Sequence, residues 1–128
     1  MNAITKKLDQ LEAKLQALIE GHIARLLPAQ LSKDTLVKHM VAAMQAGARQ
    51  QEDGAWLAPD IFNIQIYAPQ IASFPQTDSF LEDLSEMIYQ AGEQAGFDFL
   101  RYPSVNLVPN PDFMAGDIDI VAQASQDF

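Results

Sequence analysis

Apolar residues recur at the start of the chain at intervals of three and four: Ile4, Leu8, Leu11, Leu15, Leu18, Ile19, Ile23 and Leu26. At about 100° per residue these positions share one face, which predicts an amphipathic helix over residues 4–27, closed by Pro28. His22 falls on that stripe and is expected to be buried with a hydrogen-bond partner. A second helix is predicted from Lys33 to Arg49, with Ser32 placed to cap its free amides and Leu36, Val37, Met40, Val41 and Met44 as its apolar face. His39 lies off that face and is expected at the surface. The short connection predicts an antiparallel hairpin of the two helices.

After the polar stretch Gln50 to Gly54 the period changes from helical to two. Trp56 to Ala58 and Ile61 to Tyr67 read as strands separated by a turn at Pro59-Asp60. Phe62, Ile64 and Ile66 face one way and Asn63, Gln65 and Tyr67 the other, the alternation of a half-buried sheet. Ala68 to Thr77 reads as a loop. Ser79 followed by Glu82 is a capping-box signature for a third helix, whose stripe is Phe80, Leu84, Met87, Ile88 and Ala91 and whose stop is Gly96. Phe97–Tyr102, Val105–Val108 and Gly116–Ala122 complete the strands. The order ααββαβββ predicts an α+β domain. Its N-terminal helix hairpin and third helix would pack on one face of a mostly antiparallel sheet. A single domain is expected over residues 1–128, with an ordered core of about 4–122. Residues 123–128 would be a tail or the beginning of a linker.

Composition narrows the function classes. The chain has 128 residues, 48% hydrophobic, and no cysteine, which removes disulfides, thiolate zinc sites and cysteine nucleophiles. No apolar run approaches the roughly 20 residues that span a bilayer, and the first residues lack a signal-peptide core, so a cytoplasmic protein is expected. The net charge of −9 disfavours nucleic acid. That charge is divided unevenly: residues 1–50 carry seven bases and four acids, residues 51–128 carry Arg101 alone against thirteen acids. The division is what solvated acidic loops and strands produce, and also what a bipolar surface orienting a partner produces.

Candidate chemistry is sparse. Asp112, Asp117 and Asp119 form the densest carboxylate group outside the helices and are the basis of an alternative reading as a small-ligand or metal-assisted enzyme. Against it, Asp117 and Asp119 alternate with Ile118 and Ile120, as the solvent face of an edge strand does. No phosphate-binding glycine loop, nucleophile elbow or metal-ligand spacing occurs. The expectation is a protein that is not an enzyme and uses no cofactor. The 4-3-4-3 spacing of Ile4, Leu8, Leu11, Leu15 and Leu18 is also that of a coiled-coil seam, which raises a homodimer, or an oligomerisation module, built on the first helix. Insertion into a membrane is not expected, given Asp9, Glu12 and Glu20 on the same helix.

Several short motifs occur in a distinctive order: Leu11 through Leu27 with the Glu20-Gly21 pair and Arg25; Leu36 to Met44; Ala58-Pro59-Asp60 followed by Phe62, Ile64 and Ile66; a helix ending at Gly96; Val105-Asn-Leu-Val108; and Gly116 before the last strand. In order and spacing they resemble the N-terminal domain of the FhaA-type forkhead-associated (FHA) phosphoproteins of bacteria. The resemblance implies a regulatory scaffold acting with Ser/Thr kinases in cell-wall synthesis and division. Protein partners are implied, a kinase and a linked FHA domain among them. The Gly-Arg…Ser-x-x-His pattern of phosphothreonine binding is absent, so that recognition is not carried to any residue here; in the family a low-complexity linker joins this domain to an FHA domain, and residues 123–128 would be where such a linker begins. In that family the domain can itself be a kinase substrate. Of the three threonines, Thr5, Thr35 and Thr77, the last lies in the proline-bearing loop and is the expected phosphoacceptor. The expected partner surface is the Lys7, Lys14 and Arg25 edge of the first helix, with Trp56 and Tyr67, residue types that dominate binding energetics.

Overall fold

The computed structural model describes residues 3–22, 27, 31–72, 74 and 77–125. Helix α1 spans Ala3–His22 and α2 spans Lys33–Gly47. Ser32 caps α2 as its sequence predicts, its Oγ accepting from the Thr35 amide at 3.1 Å. The short strands β1 (Arg49–Gln50) and β2 (Trp56–Ala58) precede β3 (Ile61–Ile66). Within the predicted loop a short helix, α3 (Ala68–Ile71), forms with a proline in its first turn, where the missing amide costs nothing. Helix α4 runs Thr77–Gln94, followed by β4 (Phe97–Phe99), β5 (Ser104–Pro109) and β6 (Ile118–Gln123). It begins two residues before the predicted cap, so Ser79 lies inside the helix. Gly96 stops it with a φ of +92°, a conformation other residues rarely adopt.

The α+β class holds, while the strand pairing differs from the expectation of a mostly antiparallel sheet. There are two three-stranded sheets, ordered β1-β2-β4 and β5-β3-β6. β2 pairs with β4 and β3 with β5 in parallel, whereas β1–β2 and β3–β6 are antiparallel. The reason is the crossover. β2 and β3 form one extended run broken at Pro59-Asp60, and α4 carries the chain back so that β4 and β5 lie alongside in the same direction. The ladder is bridged across the break by the Ser104 amide, which donates to the Asp60 carbonyl at 2.9 Å.

The alternation along β3 is realised: Phe62, Ile64 and Ile66 are buried, and Asn63 and Gln65 face the other way. α2 packs over β6 and α4 over β4 and β5, while the close backbone neighbours of α1 are α2 and α4. The helix hairpin thus reaches the sheet through α2, and the first helix covers α2 and α4 more than the sheet. Its stripe is consumed in that packing, with Leu11, Leu15 and Ile19 fully buried and Ile4 and Leu8 nearly so. Four of the five residues of the seam expected to meet a second copy, Ile4, Leu8, Leu11 and Leu15, are therefore already covered within the chain, and Leu18 is half-buried. Among the described residues α1 reaches His22, which is exposed, not buried. Its side chain lines a surface depression of about 400 Å³ with Leu18 and the α4 residues Asp83, Glu86, Met87 and Gln90, so helical spacing puts it at the margin of the α1–α4 contact and not inside it. Ile23, Arg25, Leu26 and Pro28 lie outside the described residues.

Candidate interaction surface

The basic edge of α1 is built by helical spacing, which places Lys7 and Lys14 two turns apart on one side. Both are half-buried. Lys7 Nζ donates to the Gly96 carbonyl at 3.1 Å, so this lysine ties the start of α1 to the turn after α4. Lys14 lines a depression of about 370 Å³ with Gln10, Ala17 and Gln94. Arg25, the third member of the predicted edge, lies outside the described residues.

Trp56 is half-buried against the core, and its backbone pairs with Phe97, the residue after Gly96. The fold therefore brings Trp56 and the Lys7 contact to one end of the β2–β4 pair. Tyr67 is not part of that cluster. It follows β3, whose six residues extend about 20 Å from the Asp60 turn. Thr77 is the first residue of α4, and its side chain lies outside the described residues.

The three aspartates do not converge. Asp112 lies in an exposed turn, where its amide donates to Asn110 Oδ1 at 2.9 Å. Asp117 Oδ2 accepts from the Met114 amide at 2.9 Å, and Asp119 Oδ1 accepts from the Ile120 amide at 3.0 Å and stands 3.9 Å from His39 Nδ1. Among the described residues no cluster of three or more His, Asp or Glu side chains could hold a metal ion. Surface depressions of about 370 to 470 Å³ lie elsewhere. No helix among the described residues is long and apolar enough to cross a membrane.

Sequence reasoning missed the other face of α4. Tyr89, Phe99 and Tyr102 stack there, with ring centroids 5.6 Å apart for Tyr89–Phe99 and 4.9 Å for Tyr89–Tyr102. Tyr89 Oη donates to Glu93 Oε2 at 3.0 Å; that hydrogen bond and the carboxylate's charge hold the phenol above its ordinary range, with lesser contributions from burial and Tyr102. Tyr102 is likewise raised, by burial first and then by the Glu86 carboxylate. The one signal in the chain was the density of aromatics between residues 89 and 102, which strand periodicity absorbed.

The family described as "FhaA, N-terminal domain" has a model that matches residues 8–121. A solved structure titled "Rv0020c_Nter structure" is similar with a TM-score of 0.59 and 13% identity, covering 86% of this chain and 79% of that one. At that identity the likeness is one of fold. Among curated proteins, no relative matches the chain.

Proposed function

The chain belongs to the family of FhaA N-terminal domains, and from that premise we propose that it is a non-enzymatic regulatory module that binds proteins. In this reading it serves an FHA-type scaffold in Ser/Thr kinase signalling linked to cell-wall synthesis and division. The observation that carries the proposal is the extent of the family match, which runs from the first helix into the last strand. Its partners are a Ser/Thr kinase and a linked FHA domain.

The basic edge of Lys7, Lys14 and Arg25, with Trp56, is the surface assigned to a partner, and Tyr67 is a second, separate contact. Opposite charge on the partner would steer it there, since the rest of the chain is acidic. Thr77 is the assigned phosphoacceptor. A phosphate at the first residue of α4 would sit at the positive end of the helix dipole, opposed by Asp78 and Glu82.

The test is cross-linking of the tagged chain in its source cells, followed by identification of the bound proteins. A kinase or FHA-bearing partner is expected, and Lys14→Glu should reduce its recovery at least about fivefold with the Tm unchanged. Recovery of neither kind of partner would refute the module reading, and full recovery with Lys14→Glu would remove the basic edge. Intact-mass and fragment analysis after incubation with the recovered kinase should place one phosphate on Thr77; phosphate elsewhere, or none, would refute that assignment.

A further inference from the structure

A groove of about 460 Å³ opens between α4 and the segment joining β4 to β5. Half-buried Leu81 and buried Pro103 and Val105 line it, and exposed Glu82, Glu86 and Tyr102 rim it. The two carboxylates stand one helical turn apart on the α4 side, and the aromatic ring belongs to the opposite side.

Tyr102 is 56% exposed, and the adjoining Leu100 is 47% exposed. The Tyr102 ring is nevertheless held, 4.9 Å from Tyr89 at an interplanar angle of 31°. Glu86 and Tyr102 line the same groove, and the carboxylate's charge adds to burial in raising the phenol's pKa. The Glu20–Lys33 ion pair and the His39–Asp119 contact involve neither Glu82 nor Glu86. Glu86 accepts only a neutral bond, from Gln90 Nε2 at 3.2 Å.

We propose that this groove docks an arginine-bearing segment of a partner protein, with the guanidinium stacked on Tyr102 and paired with Glu82 and Glu86. An apolar neighbour of that arginine covers Leu81 and Val105. Charge complementarity selects the occupant. A cation gains from both carboxylates and from the ring face, whereas the phosphates of nucleic acid or lipid would meet two negative charges at the rim. Guanidinium is preferred to ammonium because its plane can stack and pair with carboxylates at once. The inference rests on the reading of the chain as an interaction module, but concerns a different surface from the basic edge.

The experiment titrates a labelled ten-residue peptide of alternating Arg and Leu into the intact chain, following its backbone amides by NMR and its affinity by fluorescence anisotropy. Shifts are expected at Leu81–Glu86 and at Tyr102, Ser104 and Val105, with affinity falling as salt rises. Tyr102→Ala, and separately the double variant Glu82→Gln with Glu86→Gln, should each weaken binding at least about fivefold. The Glu pair is exposed, so its variant keeps the test valid if Tyr102→Ala loosens the aromatic stack. A control, Glu12→Gln with Glu52→Gln, makes the same change in net charge away from the groove and should leave the affinity unchanged. Equal weakening by the control would overturn the proposal in favour of general charge attraction. Shifts confined to other surfaces, equal affinity for an uncharged Pro-Leu peptide, or no binding at millimolar peptide would also overturn it. None of these results bears on recovery of a kinase or FHA partner in cells, so the two proposals fail separately.

Discussion

Asp60 is the point at which three strands are held together, and its removal makes a quantitative prediction. The residue is 2% exposed. Its amide donates to the Gln123 carbonyl at 3.1 Å, and its own carbonyl accepts from the Ser104 amide at 2.9 Å. Its carboxylate accepts from the Ser125 amide and the Ser125 hydroxyl, both at 2.6 Å. The hydroxyl bond is at the short end of its class, and bonds of this charged type contribute about 2 kcal/mol net. Ser125→Ala should therefore destabilise the fold by about 2 kcal/mol, and Asp60→Ala, which also orphans the Ser125 amide, by about 3 kcal/mol. For a chain of 128 residues the unfolding entropy is about 0.27 kcal/mol/K, so Ser125→Ala should lower the Tm by about 7 °C. Urea unfolding followed by the fluorescence of Trp56, the single tryptophan, measures both variants and the double variant. Once Asp60 is gone, Ser125→Ala should cost almost nothing. A coupling below about 0.5 kcal/mol would refute the latch, because independent sites add to within that margin.

Gly96→Ala should cost about 1 kcal/mol or more, since its φ of +92° disfavours a side chain and the added methyl would press on Lys7 Nζ; unchanged urea unfolding would contradict this. Gly92→Ala would place a Cβ 2.6 Å from the Phe99 ring and should cost about 1–3 kcal/mol, with the Tyr89–Phe99 stack displaced in ring NMR shifts. Because Tyr89 is raised by Glu93, its contribution to stability is fully present below the phenol's ordinary pKa and is lost as pH rises through the raised folded value. Glu93→Gln should move the Tyr89 midpoint down in a phenolate absorbance titration, and an unmoved midpoint would refute the Glu93 cause. Excess calcium or magnesium should leave the Tm unchanged, since Asp112, Asp117 and Asp119 do not converge; a rise would reopen the metal reading.

The three long helices and the central strand were legible in the chain because their signal is local. The spacing of Leu11, Leu15 and Ile19, and the alternation of Phe62, Ile64 and Ile66, record which side of an element faces the core, and each was found buried. Ser32 and Gly96 marked element ends by the same local chemistry. Strand partners were not legible. Whether Phe97–Phe99 pairs with its neighbour in sequence or returns beside Trp56–Ala58 depends on where an 18-residue helix delivers the chain, and no periodicity encodes that. The α1 stripe had the same ambiguity, since a coiled-coil seam and a core-facing stripe use identical positions. Only the presence of α2 and α4 against it decided between them. The groove at Glu82, Glu86 and Tyr102 was hidden for a related reason: its two sides lie 16 or more residues apart along the chain, and no local spacing joins them. Sequence by itself thus determined the three long helices, the central strand and their buried faces, all written in short-range spacing, while the order of its motifs carried the family resemblance. Tertiary structure alone decided the strand order, the covering of α1 and the juxtaposition of ring with carboxylates, because each depends on contacts between segments distant in the chain.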